Sequence, residues 1–168
     1  CSFRAALQYK VGAFIFEIAS TEAAYTGQRP VEYTTAIMAA AIREGFHGPV
    51  FIQADHTQVK AAKFQTDSEK EISGIKDYIR EAIAGGFLNI DIDASTIVDL
   101  SKTTLEQQQE NNCAVTAALT EFIREVEPAG VTISVGGEIG EVGGKNSTVE
   151  DLRVFMAGYQ QRLKKGIK

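Results

Sequence analysis

The sequence predicts an α/β protein with parallel strands, built as part of a (β/α) barrel. One observation is rhythm. Four times, a short apolar, β-branched run ends in a polar loop and is followed by a longer helical stretch, the order expected of parallel strands joined by right-handed crossovers. A second is parity: side chains alternate faces along a strand, and each run keeps one face apolar. The third is that the other face turns polar toward the C-terminal end of each run. A sheet covered by helices on both sides would be apolar on both faces. A TIM-type barrel instead carries its site at the C-terminal rim, and four units make about half of its eight. A doubly wound sheet is the alternative, and it too would bind its ligand at the strand C-terminal ends.

The first run spans Val11 to Ser20. A loop containing Gly27 and Pro30 follows, then an Ala-rich helix from Val31 to Glu44. The second run, Pro49 to Asp55, precedes a helix from Ser68 to Ala84, with Asp67 or Ser68 as its cap and Glu69 and Glu71 in its first turn. The third run, Phe87 to Ser95, sets Leu88, Ile90 and Ile92 against Asn89, Asp91 and Asp93, and precedes a helix from Thr104 to Val126. The fourth run, Val131 to Glu138, leads to a helix from Thr148 to Leu163 that opens on a capping-box pattern, Ser147-Thr148-Val149-Glu150. Gly45, Gly85-Gly86 and Gly130 stand where helices should stop. The first ten residues read as a helix already under way, and no linker interrupts the chain. The expectation is one domain over residues 1–168, cut from a longer protein.

Composition narrows the function classes. A net charge of −5 argues against a nucleic-acid partner, whose phosphates call for a basic surface. No apolar run approaches the roughly 20 residues of a membrane span. Cys1 and Cys113 share no motif spacing, so a disulfide framework is not expected and a reducing, cytoplasmic setting is. Cys113 reads as a small residue packed on its helix.

The strand ends and the loops beyond them supply Glu17, Asp55, His56, Asp93, Ser95 and Glu138. Carboxylates converging on one rim repel unless a cation or raised pKa values relieve them. One imidazole among carboxylate oxygens suits a divalent metal such as zinc. Each residue has a plainer reading. Asp55 is also a candidate N-cap, His56 a loop cap and Glu138 the partner of an internal cation. Asp93 and Ser95 also fit an Asx-type turn, and Asp91 a buried brace of the barrel. His47 precedes a strand and is expected at the opposite, non-catalytic end. The run from Gly136 to Gly144 is dense in glycine and reads either as an active-site loop cradling phosphate or as a plain connection; it lacks the P-loop ending. No lysine falls within a predicted strand.

In combination these segments resemble the class II, metal-dependent fructose- and tagatose-bisphosphate aldolases. Asp55-His56 after an apolar strand is similar to that family's Asp-His pair. The segment Asn89 to Ser95 is similar to its strand ending in Asp-x-Ser, and Glu138-Ile139-Gly140 with Gly143-Gly144 to its Glu-Ile-Gly-x-x-Gly-Gly motif. Ser20 resembles the serine ending a family strand. Tyr25-Thr26-Gly27 is similar to the accessory, non-catalytic subunit of tagatose-bisphosphate aldolases.

The resemblance implies a lyase that cleaves a ketose 1,6-bisphosphate reversibly to dihydroxyacetone phosphate and an aldehyde. It implies Asp55 and Glu138 as catalytic groups, and His56, Glu138 and Asp93 as ligands of Zn2+ or another divalent metal. Ser20, Ser95, Gly143 and Gly144 would bind substrate, and a homo-oligomer is expected, with no nucleic-acid or membrane partner. The alternative is a non-catalytic barrel subunit that stabilises a partner aldolase. Two features depart from the family. Lys145 and Asn146 stand where acidic residues often follow the Gly-Gly pair, leaving Glu141 or Glu150 as replacements. No histidine follows His56, whereas the family has two later zinc histidines.

Overall fold

The computed structural model describes residues 2–140 and 146–164. The elements run α1 (Ser2–Tyr9), β1 (Ile15–Ala19), α2 (Ser20–Thr26), α3 (Pro30–Glu44), β2 (Phe51–Gln58), α4 (Ala61–Thr66), α5 (Ser68–Ala84), β3 (Asn89–Asp93), a 3-10 turn (Ser95–Ile97), α6 (Leu105–Val126), β4 (Ser134–Gly137) and α7 (Val149–Arg162). The strands form one sheet in sequential order, β1-β2-β3-β4, and every pair is parallel. The sheet is open, and this is the partial (β/α) barrel expected of the rhythm.

Local chemistry accounts for the helix ends. Pro30 occupies the first turn of α3, where no intrahelical donor is missed, and the Glu32 carboxylate accepts the Arg29 amide at 2.9 Å. The Asp67 side chain caps α5 by accepting the Lys70 amide at 3.0 Å. Thr148 and Asp151 exchange reciprocal bonds at the start of α7, so the capping box closes on Asp151 rather than on Glu150. Gly27 and Gly45 end α2 and α3 in the left-handed region that only glycine enters without strain.

Three stretches differ from the sequence reading. Residues 20–26 form the short helix α2 rather than a loop, with Glu22 accepting the Ala19 amide at 3.0 Å. Residues 61–66 add α4 between β2 and α5. Strand β4 covers only Ser134–Gly137, because a turn ties the Val131 amide to the Pro128 carbonyl and leaves the preceding residues outside the ladder. The alternation read around Leu88 also fails at that residue. Phe87 is buried and Leu88 exposed, since regular pairing begins only at Asn89.

The register makes the two faces distinct. Ile18, Ala54, Ile90 and Val135 lie at one level on the face that packs against the helices, and the first three are buried. One residue earlier, Glu17, Gln53, Asn89 and Ser134 form a polar row on the other face. Beneath the apolar face lie Ile79 of α5 and Leu119 and Ile123 of α6, each fully buried.

An ion pair fixes the passage from α6 into β4. Arg124 Nη1 donates to Glu127 Oε2 at 2.7 Å and to the Ile133 carbonyl at 2.8 Å, while the Ile133 amide donates to Glu127 Oε2 at 3.0 Å. The two side chains are only 12% and 8% exposed. Removing one member leaves a charge with little solvent, so Glu127→Ala should cost about 3–5 kcal/mol, and the double change Arg124→Met with Glu127→Leu distinctly less. Urea unfolding of both variants measures this; a loss below about 1 kcal/mol in the single variant would show that water replaces the pair.

Candidate functional site

The site is built on a defect in β2. The register shifts between Ala54 and Thr57, so that Asp55 and His56 together oppose Asp91. This β-bulge cancels the alternation that would send adjacent side chains to opposite faces. His56 pays for it with a positive φ of 42°, a conformation that costs of order 1–3 kcal/mol for a residue other than glycine. Its backbone carbonyl finds a side-chain partner in place of a strand partner, accepting the Ser20 hydroxyl at 2.8 Å.

The bulge brings the imidazole among the carboxylates. His56 Nδ1 lies 3.4 Å from Asp93 Oδ2 and 3.5 Å from Glu138 Oε1, and Nε2 lies 3.6 Å from Asp55 Oδ2. Ligand atoms of His56, Asp93 and Glu138 all lie within 4.8 Å of one another. One imidazole nitrogen and two carboxylate oxygens at this spacing fit a divalent metal. Among the described residues, His56 is the cationic partner of Asp55, Asp93 and Glu138.

Neighbouring polar groups orient each carboxylate. Asp93 is buried; its Oδ1 accepts the Ser95 hydroxyl at 2.6 Å and the Ser95 amide at 3.1 Å, and its Oδ2 accepts Gln58 Nε2 at 2.8 Å. The Asx-type turn and the cluster are therefore both present, one on each oxygen. Gln53 Nε2 donates to Asp55 Oδ1 at 3.1 Å. Asp91 occupies the space above Gly136, where an added Cβ would fall 2.5 Å from Asp91 Oδ1. Gly136 and Gly137 thus lie within β4 and serve packing rather than a phosphate cradle.

Electrostatics follow from this crowding. Burial raises the Asp91 pKa, helped by the neighbouring Asp55, and burial raises that of Glu138, helped by Asp93 and Asp91. Burial opposes ionisation of Asp93, yet hydrogen bonds from Ser95, Gln58 and His56 hold its pKa below the usual carboxylate range. Burial alone would lower the His56 pKa, but the hydrogen bond to Asp93 and the charges of Asp55 and Glu138 raise it.

The other sequence candidates are distributed as follows. Glu17 lies on the polar row below the cluster, exposed. His47 is exposed and precedes β2, at the opposite end of the sheet. Glu150 sits in the first turn of α7, 3.1 Å from Arg153. Cys113 is buried on α6. Glu141, Gly143, Gly144 and Lys145 lie outside the described residues. Sequence reasoning missed Gln58, since β2 runs three residues past Asp55, and it missed Gln109 and Asn112 of α6. Asn112 Nδ2 donates to the Glu138 carbonyl at 2.8 Å and Gln109 Nε2 to the Ile139 carbonyl at 2.7 Å. The available signal was their spacing with Thr116, at i, i+3 and i+7 on the helix.

Parallel strands in sequential order, helices on one face and a metal-suited cluster at the strand C-terminal ends define a partial (β/α)-barrel fold. The signature of the family described as fructose-bisphosphate aldolase class-II matches residues 3–162, and the chain belongs to that family. The fold is also similar to the crystal structure of a probable tagatose 6 phosphate kinase from Sinorhizobium meliloti 1021, with a TM-score of 0.62 and 17% identity. The similarity covers 95% of this chain and 41% of that one, so the chain spans less than half the length of this structural relative. No curated protein sequence matches the chain. Among the described residues, no helix is long and apolar enough to cross a membrane.

The pKa directions give a signed pH dependence. With its pKa raised above 6.5, His56 contributes stability that is full below that value and lost as pH rises through the folded-state pKa. Asp91 and Glu138, raised above 3.8 and 4.5, likewise favour the protonated state. Asp93 has the opposite sign: its contribution is lost as pH falls through its lowered pKa. Metal-free protein should therefore lose stability as pH rises from about 6 to about 8, while the increase in Tm given by Zn2+ should grow, because ligands must be deprotonated. Thermal melts with and without Zn2+ across that range check both slopes; a Zn2+ increment independent of pH would remove His56 from the ligand set.

Proposed function

We propose that the chain carries the metal-binding and proton-transfer part of a class II ketose-bisphosphate aldolase site. The reaction is reversible cleavage of a ketose 1,6-bisphosphate, fructose or tagatose, to dihydroxyacetone phosphate and an aldehyde. The observation that carries this reading is the convergence of His56, Asp93 and Glu138 beside Asp55 at the strand ends, within a chain of this family.

His56 Nδ1, Asp93 and Glu138 would hold the divalent ion, with zinc the first choice for this mixed nitrogen and oxygen set. When bound, the ion supplies Lewis-acid polarisation of the substrate ketone. With an ion on Nδ1, the neutral imidazole would carry its proton on Nε2, the nitrogen near Asp55. Asp55, oriented by Gln53, is the group that takes and returns the proton of the C4 hydroxyl. Glu138, whose pKa burial raises, is suited to holding a proton or a metal according to the state of the site. Ser20, Ser95, Gly143 and Gly144 are proposed to lie along the substrate. For the two serines this is by way of the bulge carbonyl and Asp93, where their hydroxyls donate. Assembly as a homo-oligomer and a cytoplasmic location belong to the same reading.

The second reading, a non-catalytic subunit supporting a partner aldolase, draws on His56 being the single histidine of the cluster. The two separate by mutation of the intact protein. His56→Ala should weaken Zn2+ binding and activity together. Asp55→Asn should leave Zn2+ affinity near the parent value and slow single-turnover cleavage by about a hundredfold or more. Calorimetry and rapid-quench cleavage read the two losses. Parent-rate cleavage by Asp55→Asn would sink the proton-transfer role; the second reading predicts that parent and variant alike cleave nothing on their own.

A further inference from the structure

We propose that Asn112 and Gln109 of α6 are positioning residues for the metal cluster, setting the place of Glu138 by clamping its backbone. The inference rests on the cluster being a metal site. Glu138 is the first residue beyond β4, whose last pairing is Gly137 with Ile92. Its carbonyl and that of Ile139 leave the sheet without strand partners, and buried carbonyls need some partner. Two side-chain amides one turn apart on α6 meet them: Asn112 Nδ2 reaches Glu138 O at 2.8 Å, and Gln109 Nε2 reaches Ile139 O at 2.7 Å.

The clamp is itself oriented. The Thr116 hydroxyl donates to Asn112 Oδ1 at 3.3 Å, which turns the Asn112 amino group toward the strand exit. That amino group also donates to Gln109 Oε1 at 3.0 Å, which turns the Gln109 amino group toward Ile139. Asn112 is 0% and Gln109 3% exposed, so both amides work away from competing water. Gly137 permits the close approach: a Cβ there would stand 3.4 Å from the Thr116 methyl and 3.3 Å from the Phe155 ring. Among the described residues the β3–β4 ladder ends at Gly137, whereas Asp93 pairs with Gln58 and His56 sits in the bulge between the paired residues Ala54 and Thr57.

The test uses Co2+ as the probe in the intact protein, reading affinity by calorimetry and coordination by visible absorption. His56→Ala tests the metal site alone: if it binds Co2+ as the parent does, or if the parent binds none, the reading of the site fails and the clamp loses its object. Where the parent binds and His56→Ala does not, Asn112→Leu and Gln109→Met test the clamp. Each should weaken Co2+ binding by about tenfold to a hundredfold, the usual effect of removing a partner behind a ligand, and alter the visible spectrum. Thr120→Val is the structural control, because Thr120 lies on the same buried stripe but bonds Tyr159 and the Thr116 carbonyl. It should lower Tm while leaving Co2+ affinity and spectrum at parent values. Should Asn112→Leu fail to fold, the near-isosteric Asn112→Asp, which lacks the amino donor, takes its place. A folded variant at either position with parent Co2+ affinity and spectrum would overturn the proposal.

Discussion

The bulge at Asp55 and His56 is the constraint on which the rest of the site depends. In a regular strand one of these side chains would enter the helix layer, where Ala54 and Thr57 are buried. The backbone strain at His56 is of order 1–3 kcal/mol. The Ser20 hydroxyl bond to the His56 carbonyl offsets about 0.5–1.5 kcal/mol of that strain. Asp91, the residue opposite the bulge, lies so close to β4 that the strand carries glycine beside it at Gly136.

The cluster separates its carboxylates by their hydrogen bonds rather than by their burial. Asp93 is the most enclosed, with a side chain 3% exposed, yet it is the one whose charge is stabilised. Ser95, Gln58 and His56 together outweigh its loss of water. Glu138, at 29% exposure, has the imidazole as its side-chain partner among the described residues, and its pKa rises. The result is a fixed anion beside an adjustable one, with an imidazole between them. That division suits a site that must bind a cation and also exchange protons.

The parallel order of the strands was legible from the rhythm of the sequence, because apolar runs and helical stretches differ in period and length. The convergence of His56, Asp93 and Glu138 was legible from their shared position at strand ends. The bulge itself was readable only as a requirement: two adjacent polar residues could reach one face only if the chain turned at His56. The supporting groups were less legible. Nothing in the sequence says that the Ser20 hydroxyl meets the His56 carbonyl 36 residues away. Gln109 and Asn112 looked like ordinary polar positions of an amphipathic helix; tertiary contact alone buries them. Gly136 and Gly137 suggested a loop, because glycine required for close packing has the same letter as glycine required for a turn.

Helix α6 joins the site to the core. Leu119 and Ile123 anchor it beneath the sheet at 0% exposure, and about two to three turns before Leu119 the same helix presents Asn112 and Gln109 to the end of β4. A shift of α6 would therefore move Glu138 relative to Asp93, which pairs with Gln58, and to His56, which sits in the bulge of β2. The three ligand candidates are thus held in three ways: Asp93 by the backbone ladder, His56 by the bulge and its bond from Ser20, and Glu138 by the side-chain clamp. Ladder bonds are many and share any load, whereas the clamp consists of two amides. Of the three, Glu138 is the residue whose position the packing of the core can tune, and it is also the one whose protonation the surroundings leave open.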